Sequence, residues 1–89
     1  MNDQISEHEI RVYEEAKAAD RWLTAKEIAV VAGVADRTAR AHAAALVAVG
    51  VLNVSKVFGG YRYRIKDRFE KPAAAYLARL EAAKKVLGA

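Results

Sequence analysis

The chain has 89 residues, 54% of them apolar, with 15 bases against 11 acids and a formal net charge of +4, which is enough for one domain with a modest core. It has no cysteine, so a disulfide scaffold and thiolate metal sites are excluded and an intracellular setting fits. No apolar run approaches the roughly 20 residues that cross a bilayer, and MNDQISEHE lacks the basic and apolar regions of a signal peptide; a soluble cytoplasmic protein without a membrane partner is expected.

In chain order, Ser6 and Glu9 form an S-x-x-E capping box, with Ile5 and Ile10 placed as a hydrophobic staple. A first helix is expected from about Glu7 to Ala19. Val12, Tyr13, Ala16 and Ala19 give it an inward face and Glu7, Glu14 and Glu15 make the rest acidic, which suits the core or a dimer interface better than a phosphate. Trp22, the only tryptophan, is expected as a core or hinge anchor. Thr24 and Glu27 form a second capping box, T-x-x-E, opening a short helix with Ile28 and Val31. Gly33 should end it, because glycine takes positive φ at low cost. Asp36 is read as the N-cap of the next helix, which Gly50 closes.

Helix, glycine turn and helix at this spacing form the helix-turn-helix pattern, whose second helix can lie in a DNA major groove. On a 100° wheel Ala39, Ala43 and Leu46 fall together and should face the core. The opposite side carries Arg37, Ala41, Ala44 and Ala48, with Arg40 on one edge and Thr38 and Ala45 on the other. Arginine can grip guanine or phosphate, threonine does either more weakly, and alanine can meet a thymine methyl. His42 lies between the two sides, placed to reach a phosphate or sugar or to be a half-buried structural histidine. The expected reading residues are therefore Arg37, Thr38, Arg40, Ala41, His42 and Ala44. The alanines also have a bland reading as good helix formers, and a rival one as a smooth face for another protein.

After Gly50 the pattern changes. Val51 to Val57 and Tyr61 to Ile65 are rich in β-branched and aromatic residues around Phe58-Gly59-Gly60, which predicts a β-hairpin. Arg62 and Arg64 share one face of the second strand and Tyr61, Tyr63 and Ile65 the other. With Lys56 on the partner strand, the arginines suit a backbone or minor-groove contact; a basic outer face that only aids solubility is the alternative. LTAKEIAVVAGV followed by DRTARAHAAALVAVGVL resembles the helix-turn-helix of bacterial winged-helix regulators such as the MarR, ArsR and GntR groups, over roughly residues 22–65. VLNVSKVFGGYRYRI stands where those families have their wing. The resemblance implies a mainly α fold with a small β-hairpin (α+β): a winged helix-turn-helix domain over 1–66, with a three-helix core and two-stranded wing, then a C-terminal helix in 67–89.

Charge is divided along the chain. Residues 1–36 hold four bases and eight acids, a balance of −4, whereas residues 37–66 hold six bases and no acid, a balance of +6. That block covers the second helix of the pair and the hairpin, as phosphate binding requires, although a charge run can also be only a solvated face. In the tail, a helix is expected from Glu70 or Lys71 to near Leu87, with Pro72 in its first turn. Phe69, Ala73, Tyr76, Leu80, Ala83 and Leu87 recur at intervals of four, three, four, three and four, a heptad-like seam that could pack on the first helix or on a second subunit. In MarR-like regulators the terminal helices build the dimer, so the resemblance implies a homodimer with Phe69, Tyr76, Leu80, Ala83 and Leu87 at its interface.

The function expected is sequence-specific binding of double-stranded DNA by a small repressor-like regulator, of bacterial or phage type. Lys26, Lys56, Arg62, Arg64 and the amide end of the second helix would hold phosphates. The alternatives are a winged-helix protein-protein adaptor and an accessory DNA-binding factor in replication, partition or recombination. No nucleophile-base-orienter set and no P-loop is present, so an enzyme is not expected. His8 and His42 lack metal-ligand spacing; no metal, cofactor or small-molecule ligand is indicated.

Overall fold

The computed structural model describes residues 5–88, with the backbone alone for Leu87 and Gly88. Ser6 caps α1 (Glu7–Ala19), its hydroxyl accepting from the Glu9 amide at 3.1 Å. The reciprocal arm of the expected capping box is not made, because the Glu9 carboxylate lies instead 3.7 Å from His42 Nδ1. Ile5 and Ile10 both pack on the core, as a staple across the cap requires. α1 ends at Asp20, whose φ of +47° is left-handed, a conformation that Asp tolerates better than most residues. The turn delivers the chain into β1 (Leu23–Thr24) and α2 (Ala25–Ala32).

α2 and α3 (Asp36–Ala48) end in the same motif. At Gly33, with φ +70°, the Gly33 amide donates to Val30 and the Val34 amide to Ala29. At Gly50, with φ +89°, the Gly50 amide donates to Val47 and the Val51 amide to Leu46. These paired bonds are the Schellman arrangement, which satisfies the last carbonyls of a helix and favours glycine at its left-handed position. The cap of α3 differs from expectation. Ala35 holds the N-cap position without a side-chain bond, and Asp36 is the first helical residue, where its charge still complements the helix dipole.

β2 (Leu52–Val57) and β3 (Gly60–Ile65) form the hairpin, and β1 pairs with β3, so the sheet has three antiparallel strands in the order β1-β3-β2. The expected two-stranded wing thus gains a strand. β1 is only two residues long, too short for alternation to reveal. Leu23 lies opposite Tyr63 and Thr24 opposite Arg62. In the hairpin Val57 pairs with Gly60, leaving Phe58-Gly59 as a two-residue turn, and Lys56 pairs with Tyr61. A three-residue turn would have put Lys56 opposite Arg62. The shorter turn shifts the register by one and sends Lys56 to the other face of the sheet.

The core is formed by Val12, Ile28, Ala39, Ala43, Leu46, Val51 and Leu80, all fully buried, with Leu23, Leu52, Tyr63 and Ile65 from the sheet. α4 (Lys71–Gly88) contributes Ala73 and Leu80 directly, with Tyr76, Leu77 and Ala83 packed alongside. Lys84 at its far end donates to Glu14 of α1. The heptad-like seam is therefore used within one chain. Leu80 has no surface left for a second subunit, which corrects the dimer assignment for that side chain, while Tyr76 and Ala83 pack beside it half-buried. Phe69 is at the surface; the Leu87 side chain lies outside the described residues. The core reading of Trp22 is also corrected: it is 38% exposed, while its neighbour Leu23, the first residue of β1, takes the buried position. No helix among the described residues is long and apolar enough to cross a membrane. Leu80→Ala should lower unfolding stability by about 2–5 kcal/mol, measured by urea denaturation, because the cavity would open in the core of the same chain.

Candidate nucleic-acid interface

The start of α2 and the hairpin converge beside α3. The N-terminus of α2 is fixed by the capping box of Thr24 and Glu27: the Glu27 amide donates to Thr24 Oγ1 at 3.1 Å and the Thr24 amide to Glu27 Oε1 at 2.8 Å. Lys26 projects from this first turn and is exposed. Across from it, Arg40 of α3 and the hairpin residues Gly59, Gly60, Tyr61 and Tyr63 complete an open cleft. The cleft continues along α3 into an apolar stretch lined by Ala44, Val47, Val54, Tyr61 and Tyr63. Together they make one trough between α3 and the hairpin, cationic at one end and apolar at the other.

The outer row of α3 is as the wheel predicts: Arg37, Arg40, Ala41, Ala44 and Ala48 are exposed, whereas Ala39, Ala43 and Leu46 are fully buried. Thr38 is half-buried. His42 is also half-buried and faces Glu9 of α1 at 3.7 Å, so the structure gives it a packing partner on the edge away from the trough. Of the six reading residues expected, Arg37 and Arg40 are the long polar side chains on the open face.

The hairpin register separates the four cations expected to hold phosphates. Lys56 is on the sheet face of Tyr61, toward the trough, while Arg62 and Arg64 are on the opposite face with Ser55 and Asn53. There the arginines have acids beside them. Arg64 lies 3.7 Å from Asp20 and Arg21 lies 3.8 Å from Glu27. The Thr24 amide holds the Glu27 carboxyl below the usual carboxylate range, and the charges of Arg21 and Arg62 act in the same direction. On the trough side the balance differs: among the described residues Lys26, Arg37, Arg40 and Lys56 make no ion pair with an acid. The exposed cationic field thus runs along α3, the start of α2 and the inner hairpin face. Tyr61, 54% exposed, joins both halves of the trough. Alternation alone grouped it with buried Tyr63 and Ile65; its position near the hairpin tip, beyond the reach of the core, is the signal that separates it.

Helix-turn-helix, hairpin and the strand that ties them define a winged helix-turn-helix fold. Solved structures share it. ST1889 from the archaeon Sulfolobus tokodaii matches 94% of this chain and 81% of its own, with 17% identity and a TM-score of 0.66. Sso10a-2, a DNA-binding protein from Sulfolobus solfataricus, matches 94% of this chain and 87% of its own, with 15% identity and a TM-score of 0.61. The adhesin competence repressor AdcR of Streptococcus pyogenes matches 98% of this chain, which spans 66% of that protein, with 11% identity and a TM-score of 0.60. At these identities the likeness is one of fold. No protein-family model and no curated protein matches the sequence.

The cap that positions Lys26 has a pH signature. Because the Glu27 pKa is lowered in the folded chain, its contribution to stability is complete above the unfolded carboxyl value and is lost as pH falls through the folded one. Glu27→Gln should therefore be less stable than the parent at about pH 7, with the difference shrinking toward about pH 3; urea midpoints at the two pH values measure it.

Proposed function

We propose that this chain binds double-stranded DNA in a sequence-specific manner and acts as a small regulator of repressor type. The observation that carries the reading is the run of cations with no acid partner among the described residues, Lys26, Arg37, Arg40 and Lys56, along the outer face of α3 and the trough beside it. α3 enters the major groove with Arg37 and Arg40 at its N-terminal end on base edges or adjacent phosphates. Ala41, Ala44 and Ala48 let the helix sit deep. Lys26 and the amide end of α2 hold one phosphate strand, and Lys56 holds the other side from the hairpin. Sso10a-2 is described as a DNA-binding protein and AdcR as a repressor, which supports this use of the fold. An inverted repeat read by two copies belongs to the same proposal, in which Phe69 just before α4 and Val86 near its end are exposed apolar side chains that a second copy could cover.

A protein-adaptor reading draws on one observation, the apolar half of the trough, where Val54 and Tyr61 are exposed beside Ala44. Salt separates the two readings, since phosphate contacts release counterions and a mainly apolar contact does not.

With Lys26 and Lys56 on phosphates and Arg37 and Arg40 shared between phosphates and base edges, log K against log salt should fall with a slope of about −2 to −4 per chain, read by anisotropy with a random duplex pool. Arg37→Ala with Arg40→Ala should weaken the selected sequence by about 1–3 kcal/mol per lost base contact and flatten the preference. Arg62→Ala with Arg64→Ala should change affinity by less than about threefold, because surface charges already facing acids add little. Equal losses from both double variants would reverse the assignment of the two hairpin faces, and salt-insensitive or absent DNA binding would favour the adaptor.

A further inference from the structure

Phe58 stands at the hairpin tip and is completely exposed, at 106% of its reference area. The next two residues are Gly59 and Gly60, at φ +95° and +141°, and a Cβ built on either would meet nothing within 4 Å. The turn needs a glycine for its backbone, but it does not need a phenyl ring in water; turn positions are ordinarily polar. Among the described residues the ring has no apolar cover. Its surroundings are cationic: Lys56 precedes it on β2, Arg62 comes after it on β3, and Gly59 and Gly60 form the rim of the cleft that holds Lys26 and Arg40.

An apolar tip on a cationic base complements a nucleic-acid groove, which has phosphates along its edges and stacked bases at its floor. A lipid surface is a poorer match, since one ring buries too little to anchor a domain and two of the cations beside the tip, Lys26 and Arg40, line a cleft. We propose that Phe58 is a wedge: it enters the minor groove next to the site covered by α3, inserts between neighbouring base pairs and bends the duplex. This rests on the duplex binding proposed above and adds a second source of sequence preference. Pyrimidine-purine steps unstack most easily, so the tip selects such a step at a fixed distance from the bases under Arg37 and Arg40 without a hydrogen bond to it.

The test uses the whole chain and a duplex of about 25 base pairs with central TA steps, dye-labelled at both ends, in an intact form and in a form with a two-base central mismatch. The parent should shorten the end-to-end distance of the intact duplex, by a bend within about 20–90°, and should bind the mismatched form about fivefold or more tightly, because part of the unstacking is already done. Phe58→Ala should lose the bend and bind the two forms within about twofold of each other, with an unchanged salt slope, since no charge is removed. Phe58→Leu should retain both bend and preference. Binding by the parent without bending or mismatch preference would overturn the wedge and leave the DNA-binding reading standing, as would a Phe58→Ala variant that bends like the parent. No binding to either duplex at low salt would overturn both.

Discussion

Thr24 is the residue through which the two halves of the surface are held in register. It ends β1, where it lies opposite Arg62 of the hairpin, and it is also the N-cap of α2, exchanging two hydrogen bonds with Glu27. A cap fixes the direction of a helix start, and a strand pair fixes the position of a hairpin. Because one residue does both, the first turn of α2 and the hairpin share a local frame. The distance from Lys26 to the inner hairpin face is therefore set by covalent geometry and a few hydrogen bonds. Leu23, buried opposite Tyr63, anchors this junction to the core.

The other side of the trough is positioned by the turn at the end of α3. The glycine motif at Gly50 directs the chain into Val51 and Leu52, both buried, and the Lys66 amide donates back to Val51 at 3.1 Å to close the base of the sheet. A Cβ at Gly50 would stand 3.5 Å from the Ala73 Cβ, so α4 approaches the same turn. Its seam covers the core in cis, and a helix that could serve pairing is here part of the domain. Such closure matters for a chain this short, in which every buried leucine is a sizeable fraction of the net stability.

Much of this was legible in the residues. The caps at Ser6 and Thr24, the stops at Gly33 and Gly50, and the buried stripe Ala39, Ala43 and Leu46 depend on local rules: a hydroxyl three residues before an amide, a positive φ, a period of 3.6. The features that escaped depend on contacts distant in sequence or on a single-residue choice. β1 exists only because β3 is there to pair with it. The face of Lys56 hinged on whether the turn takes two residues or three, and Asp20 supplied a left-handed turn with no glycine to announce it. The seam of α4 was visible as apolar, but periodicity cannot say whose surface covers it. For the site, the cationic block could be seen as a sum of charge. Its division into an outer face with acids beside it and an inner one with no acid partner among the described residues needed the sheet register and the acids at Asp20 and Glu27.

The alanine row of α3 has a consequence for how much a single copy can know about a genome. The side chains proposed to reach base edges, Arg37 and Arg40, are confined to the first turn or so of the helix; from Ala41 through Ala48 the open row is short and featureless. A reader built this way distinguishes only a brief word, which recurs by chance throughout any chromosome. In the proposed function, occupancy of a given address would then be governed by abundance, by adjoining copies or by the pliancy of the surrounding duplex. The same blankness makes the helix easy to re-specify, since Ala41, Ala44 and Ala48 already point outward and can accept a longer side chain without disturbing the packed face behind them.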